Sequence, residues 1–149
     1  MIVKSLEHLN SLSQKVAEKL SKNDCIFLIG EIGVGKTTFA RYLINYLQKK
    51  NGEKITEVLS PTFNLLYEYD LERIKIMHYD LYRIRDEKEL KQLGIFLDKQ
   101  DTIKIIEWPQ LINIPSSDKL EMYIDYAENE NEREVKFKGS ERWKILNEL

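Results

Sequence analysis

Cysteine is almost missing from this chain: Cys25 is the only one. A lone thiol excludes an internal disulfide, so the fold stands on its core and suits a reducing compartment. Histidine is also scarce, and neither His8 nor His78 has a Cys or His neighbour at metal-ligand spacing, which argues against zinc. No apolar run approaches the ~18 residues of a membrane span, and Lys4, Glu7 and His8 interrupt the start, where a secretory signal needs apolar residues. An excess of one charge is lacking too. The 23 Lys and Arg against 25 Asp and Glu leave a net charge of −2, giving no general attraction to nucleic acid or an anionic membrane. These absences predict a soluble cytoplasmic protein with no membrane partner. No internal repeat, low-complexity stretch or linker interrupts the 149 residues, which predicts one domain over 1–149 that buries about two thirds of its unfolded surface.

What is present starts with Gly30-Glu31-Ile32-Gly33-Val34-Gly35-Lys36-Thr37, which fits the phosphate-binding GxxxxGK[ST] pattern. Glycines there let consecutive backbone N–H groups turn toward a triphosphate. The lysine ammonium reaches the β and γ phosphates, and the hydroxyl after it binds Mg²⁺. The flanks agree. Ile26 to Ile29 read as a strand buried on both faces, and Phe39, Ala40, Leu43, Ile44 and Leu47 form a helical stripe. A nucleotide is therefore predicted, with Lys36 on phosphate and Thr37 on magnesium. The alternative is a glycine-rich turn whose lysine lies in solvent.

Along the rest of the chain, Leu9, Leu12, Val16 and Leu20 repeat at helical spacing, with Ser5 or Ser11 as N-cap. Thr56 to Leu59 reads as a short strand ended by Ser60-Pro61. Leu65–Tyr69 and Ile74–Tyr79 predict an antiparallel hairpin. Asp86 and Glu89 are in capping-box register before a short helix that Gly94 ends. Ile103–Ile106 is a buried strand stopped near Pro109. Leu120–Tyr126 and Glu134–Lys138 are late strands, and Ser140 opens a last helix. The predicted fold is a single α/β domain, a P-loop nucleotide-hydrolase fold. Its central sheet is mainly parallel with at least one antiparallel strand pair, and the loop lies at the carboxyl edge.

A phosphate loop needs a second acid beside the metal, usually at the end of an apolar strand. Glu107, after Ile103 to Ile106, fits best, with an ordinary surface carboxylate as its alternative. Asp80 ends a strand whose alternation reads as half exposed, and an N-cap for the segment from Leu81 is its alternative. In Ser60-Pro61-Thr62 the threonine hydroxyl could sit near a γ-phosphate as in switch loops, or simply cap a Pro-led turn. Arg83 and Arg85 could act as a kinase lid over transferred phosphate, face a macromolecular partner, or be solvated charge.

Taken in order, GEIGVGKTT, SPTF, HYDLYR and IEWPQ closely resemble the bacterial TsaE family, formerly called YjeE, over nearly the whole chain. The resemblance implies a Mg²⁺-dependent ATPase, slow by itself, that works with TsaB and TsaD. The product is N6-threonylcarbamoyladenosine, made beside the anticodon of tRNAs reading codons that begin with A, and tRNA is met through the complex. Carried over by position, Gly33, Val34, Gly35, Lys36, Thr37 and Thr38 become the phosphate cradle, with Thr37 and Glu107 as magnesium ligands. Thr62 becomes part of a switch-like segment, Asp80 an active-site acid, and Trp108 the tryptophan beside the nucleotide. The family's N-terminal segment and late arginine point to Ser5 and Arg133. The alternative function is a small P-loop kinase acting on a metabolite; a GTPase switch lacks an [NT]KxD stretch to read guanine.

Overall fold

A computed structural model describes residues 1–95, 100–113 and 119–149. In chain order the elements are β1 (Ile2–Val3), α1 (Leu6–Lys19), β2 (Cys25–Ile29), α2 (Lys36–Lys50), β3 (Leu66–Asp70), β4 (Lys75–Asp80), α3 (Glu87–Gln92), β5 (Thr102–Glu107), β6 (Leu120–Tyr126), β7 (Arg133–Lys138) and a closing 3-10 helix (Glu141–Glu148). The strands make one sheet in the order β1-β7-β6-β2-β5-β4-β3. Its centre, β6-β2-β5-β4, is parallel. Its flanks, β3 on β4, β7 on β6 and β1 on β7, are antiparallel.

Strand periodicity sorts the core into two layers. Ile26, Leu28, Ile76, Ile103, Ile105, Leu120, Met122 and Ile124 face α1 and α2, packing on Leu9, Val16, Phe39, Leu43 and Ile44. The intervening Cys25, Phe27, Met77, Tyr79 and Ile106 face the other way and cluster with Leu90 of α3. Burial pushes the Cys25 thiol up to about 12, so it is a protonated core side chain at neutral pH. On β6 and β7 the second face stays polar: Glu121 pairs with Lys138 and Tyr123 with Lys136. That is why β6 alternates in sequence while β2 does not.

Caps set the helix starts. Ser5 caps α1, its Oγ accepting from the His8 N–H at 3.1 Å, so Ser11 is not used as a cap. Asp86 caps α3 by accepting from the Glu89 N–H, whereas Glu89 returns its carboxylate to the Arg85 N–H, one residue outside box register. Gly94 follows α3 with φ +67, as the end of that helix requires.

The sequence reading needs three corrections. Thr56–Leu59 is not a strand. Its polar groups bond to side chains of α2: Gln48 Oε1 accepts from the Thr56 N–H while Gln48 Nε2 donates to the Thr56 hydroxyl, and Arg41 Nε donates to the Val58 carbonyl. Strand β4 is not half exposed, because helices cover both faces and residues 76–80 are all buried. The third correction is an omission: β1, only two residues long, carries no periodicity to detect, yet it pairs with β7. Among the described residues no helix is long and apolar enough to cross a membrane.

Candidate functional site

The glycine-rich loop leaves the carboxyl end of β2 and closes onto α2. Its backbone needs glycine for two separate reasons. At Gly30 an added Cβ would come within 2.3 Å of the Ile124 carbonyl oxygen, so only glycine lets the loop pass β6. Gly33 and Gly35 hold φ of +77 and +124, values at which side chains are strained. These turns form the start of α2, where free N–H groups and the helix dipole favour an anion. No acid lies in the first turn of α2 to compete for that position.

Lys36 and Thr37 open this helix. The Lys36 ammonium donates to the carbonyls of Gly30 and Glu31 at 2.6 and 2.8 Å and sits 4.2 Å from the centre of the Trp108 ring. Burial lowers its pKa from the ordinary lysine value, opposed by the charges of Glu107 and Asp80. The Thr37 hydroxyl donates to Glu107 Oε1 at 2.8 Å.

Register explains the acids. Asp80 pairs directly with Glu107 across β4 and β5, so the two carboxylates stand abreast on the α2 face at the carboxyl edge. Both are buried. Asp80 Oδ2 accepts from the Thr62 hydroxyl at 3.0 Å and its Oδ1 from the Tyr82 N–H. The second bond is the local capping role considered above, and here it coexists with a place in the cleft. Ser60 Oγ lies 2.8 Å from Thr62 Oγ1, which ties the Pro-led turn to the end of β4.

Together Lys36, Thr37, Thr38, Thr62, Asp80, Glu107 and Trp108 line a cleft of about 190 Å³, with Gly33 and Gly35 in its wall. Trp108 takes a left-handed φ of +57 just after β5, uncommon for a large side chain. That turn brings its ring to 4.8 Å from the ring of Tyr82, the two planes tilted by 51°; no spacing in the sequence marks Tyr82 as a site residue. Val34 is buried and does not line this cleft.

A second cavity, about 180 Å³, lies on the other side of the loop and is lined by Ser5, Leu6, Gly33, Val34, Asn131 and Arg133, among others. Arg133 Nε donates to the Val34 carbonyl at 2.9 Å, and its guanidinium lies 4.7 Å from the Tyr126 ring. The Tyr126 hydroxyl in turn donates to the Ile32 carbonyl. Ser5 and Arg133 are thus brought to the loop, but not to the acid pair.

Arg83 is placed elsewhere. It lines a separate cavity with Phe63 and Leu93, and neither Arg83 nor Arg85 lines the cleft.

A protein-family profile for the threonylcarbamoyl adenosine biosynthesis protein TsaE matches residues 3–135. The chain belongs to the TsaE family. Relatives named as tRNA threonylcarbamoyladenosine biosynthesis proteins TsaE agree. That of Rickettsia conorii is 38% identical over 108 residues, covering 72% of this chain and 59% of the relative. That of Aquifex aeolicus is 34% identical, covering 74% and 76%. For Bacillus subtilis the figures are 31% identity, 88% and 79%. The chain thus spans less than two thirds of the Rickettsia conorii relative's length. The crystal structure of Bacillus subtilis YdiB superposes with a TM-score of 0.70 at 26% identity, covering 99% of this chain and 90% of that one.

The donor set suits a magnesium ion held beside phosphate. Thr37 and Glu107 offer hard oxygens side by side, the ligand type magnesium takes. Among the described residues no group of three or more His, Cys, Asp or Glu could hold a metal by itself, so the remaining ligands would be phosphate and water. Besides Tyr82, the sequence reading omits His78 as a site residue, although its Nε2 lies 2.7 Å from Glu107 Oε2. Its signal was available, since it precedes Asp80 by two and must share that residue's face of β4.

Proposed function

We propose that this chain is a Mg²⁺-dependent, ATP-binding and ATP-hydrolysing accessory protein of the machinery that makes N6-threonylcarbamoyladenosine, acting in the cytoplasm with TsaB and TsaD. In this reading tRNAs reading codons that begin with A are met through the partners, in line with a net charge of −2. The observation that carries the proposal is the meeting of Lys36, Thr37, Glu107, Asp80 and Thr62 in one cleft at the start of α2.

In use, the Lys36 ammonium exchanges the loop carbonyls of Gly30 and Glu31 for phosphate oxygens, staying over the Trp108 face. The loop amides from Gly33 to Thr38 take the remaining phosphate charge. Bound magnesium supplies neutralisation of the charge on the phosphates. Thr37 and Glu107 hold that position, their mutual hydrogen bond keeping both oxygens turned to one point. Thr62 reads the state of the cleft through its bond to Asp80, so the Ser60-to-Phe63 segment, whose Phe63 is largely exposed, carries that state to the surface. The second cavity, with Ser5 and Arg133, lies where the remainder of a nucleotide held by the loop can extend.

Among the described residues, no Arg, Asn or Gln lines the cleft. Groups of that kind orient water or supply an arginine finger, and their provision is worth about 10³ to 10⁵ in rate. The isolated protein is therefore expected to hydrolyse ATP at on the order of 10⁻⁴ to 10⁻² per second. Phosphate release measured with and without TsaB and TsaD tests this for wild type, Thr62→Ala and Asp80→Ala. Stimulation by the partners is expected, with both variants losing the stimulated rate more than ATP binding. Equal rates with and without the partners refute the accessory-ATPase reading, and stoichiometric phosphoryl transfer to a metabolite would establish the kinase instead.

A further inference from the structure

His78 is fully buried on the α2 face of β4, among Ile76, Ile103 and Ile105. An aliphatic side chain would suit those neighbours. Instead the position carries an imidazole whose Nδ1 is buried and has no hydrogen-bond partner among the described residues. A polar group left half satisfied in an apolar layer costs stability, and such departures from packing logic gather where a structure does chemistry. The other ring nitrogen shows what is gained. Nε2 lies 2.7 Å from Glu107 Oε2, while Glu107 Oε1 accepts from the Thr37 hydroxyl at 2.8 Å.

We propose that His78 is a positioning residue for the metal-binding oxygens: its Nε2–H holds the Glu107 carboxylate in the one orientation that faces Thr37. This rests on the nucleotide reading of the cleft. The tautomer follows from the surroundings. A proton on Nδ1 would be a buried donor with no acceptor, whereas a bare Nδ1 leaves only an unused lone pair, the cheaper defect. With the proton on Nε2, each oxygen of Glu107 receives one donor, and rotation of the carboxylate would break both bonds at once. A ligand fixed in this way by a histidine needs no reorganisation when a cation arrives, which is the usual action of partners behind a metal ligand.

The test uses the whole chain with ADP and Mn²⁺ as the paramagnetic stand-in for Mg²⁺, following free Mn²⁺ by electron paramagnetic resonance at fixed pH. Three variants separate orientation from packing. His78→Leu fills the space without a donor, His78→Gln carries an amide nitrogen at the reach of Nε2, and His78→Asn is too short to touch Glu107. Expected are a roughly 10- to 100-fold loss of Mn²⁺ affinity in the Leu and Asn variants, near wild-type affinity in the Gln variant, and unchanged metal-free ADP affinity in all three. Wild-type Mn²⁺ affinity in the Leu or Asn variant overturns the proposal, as does an equal loss in Gln and Leu. If the Leu variant fails to fold, the Gln and Asn pair decides by the same criteria. Wild-type protein that binds neither ADP nor Mn²⁺ would overturn the nucleotide reading itself, an outcome distinct from a wild type that binds both and is indifferent to His78.

Discussion

The two cavities flanking the glycine-rich loop are made of different material. On the β4–β5 side the wall is built from buried side chains on central strands, and Glu107, His78, Thr37, Asp80 and Thr62 are tied to one another in pairs. On the β7 side the wall is a clamp on the backbone: Arg133 and Tyr126 hold the carbonyls of Val34 and Ile32. The first arrangement orients charged oxygens and suits metal and phosphate chemistry. The second shapes a pocket and leaves its own side chains spent on the loop. On the proposed function chemistry and fit are divided across one loop, and substitutions should separate them.

The largest expected effect is on the chemical side. Glu107→Gln keeps the shape, removes the charge and should lower Mg²⁺-dependent hydrolysis by on the order of a hundredfold or more, since a metal contributes several kcal/mol to such steps. Hydrolysis measured at limiting Mg²⁺ decides; a normal rate would move the metal role to Asp80. Lys36→Ala touches the loop that both cavities share. On the proposed function it deletes a charge-assisted phosphate contact of about 1.5 to 3 kcal/mol, so ATP affinity should fall about ten- to more than a hundredfold, and an unchanged titration would remove the lysine from phosphate binding.

Arg133→Ala probes the clamp. A loss of about three- to tenfold in nucleotide affinity is expected, near 1 kcal/mol for the lost hydrogen bonding, with the Mg²⁺ dependence of hydrolysis unaltered. A changed metal dependence would show that the two cavities are not separable. The smallest effect is optical. Nucleotide should alter the fluorescence of Trp108, which lies against Lys36, and not that of Trp143, buried under β7 in the core. Equal responses from wild type and Trp108→Phe would place the ring's contribution elsewhere.

Legibility in the sequence follows the same division. The loop, β2, α2 and Glu107 could be read because each signal is local: a fixed spacing, a continuous apolar run, a helical stripe. Asp80 could be nominated only behind Glu107, because the apparent half exposure of its strand counted against it and only the register of β4 on β5 shows that the two are neighbours. Ser5 and Arg133 came from the family resemblance alone, because the pairings of β1 and β6 with β7 bring them to the loop over long stretches of chain. Thr56–Leu59 was misread for a physical reason. Its β-type residues satisfy their polar groups on Gln48 and Arg41 of α2, partners that no local propensity reveals.

The tight passage of Gly30 beneath the Ile124 carbonyl also bears on how the molecule assembles. Strand β2, which delivers the loop, has no sheet neighbour nearby in the chain: Cys25 pairs with Lys104 and Ile26 with Leu120. Such pairings must close long loops before they are rewarded, which slows folding. α1 and α2 can meet early as a local helix pair, but the loop between β2 and α2 has nothing to lie against until β6 docks. Nucleotide binding should therefore be the last property regained on refolding, recovered with the completed sheet and not with helical content.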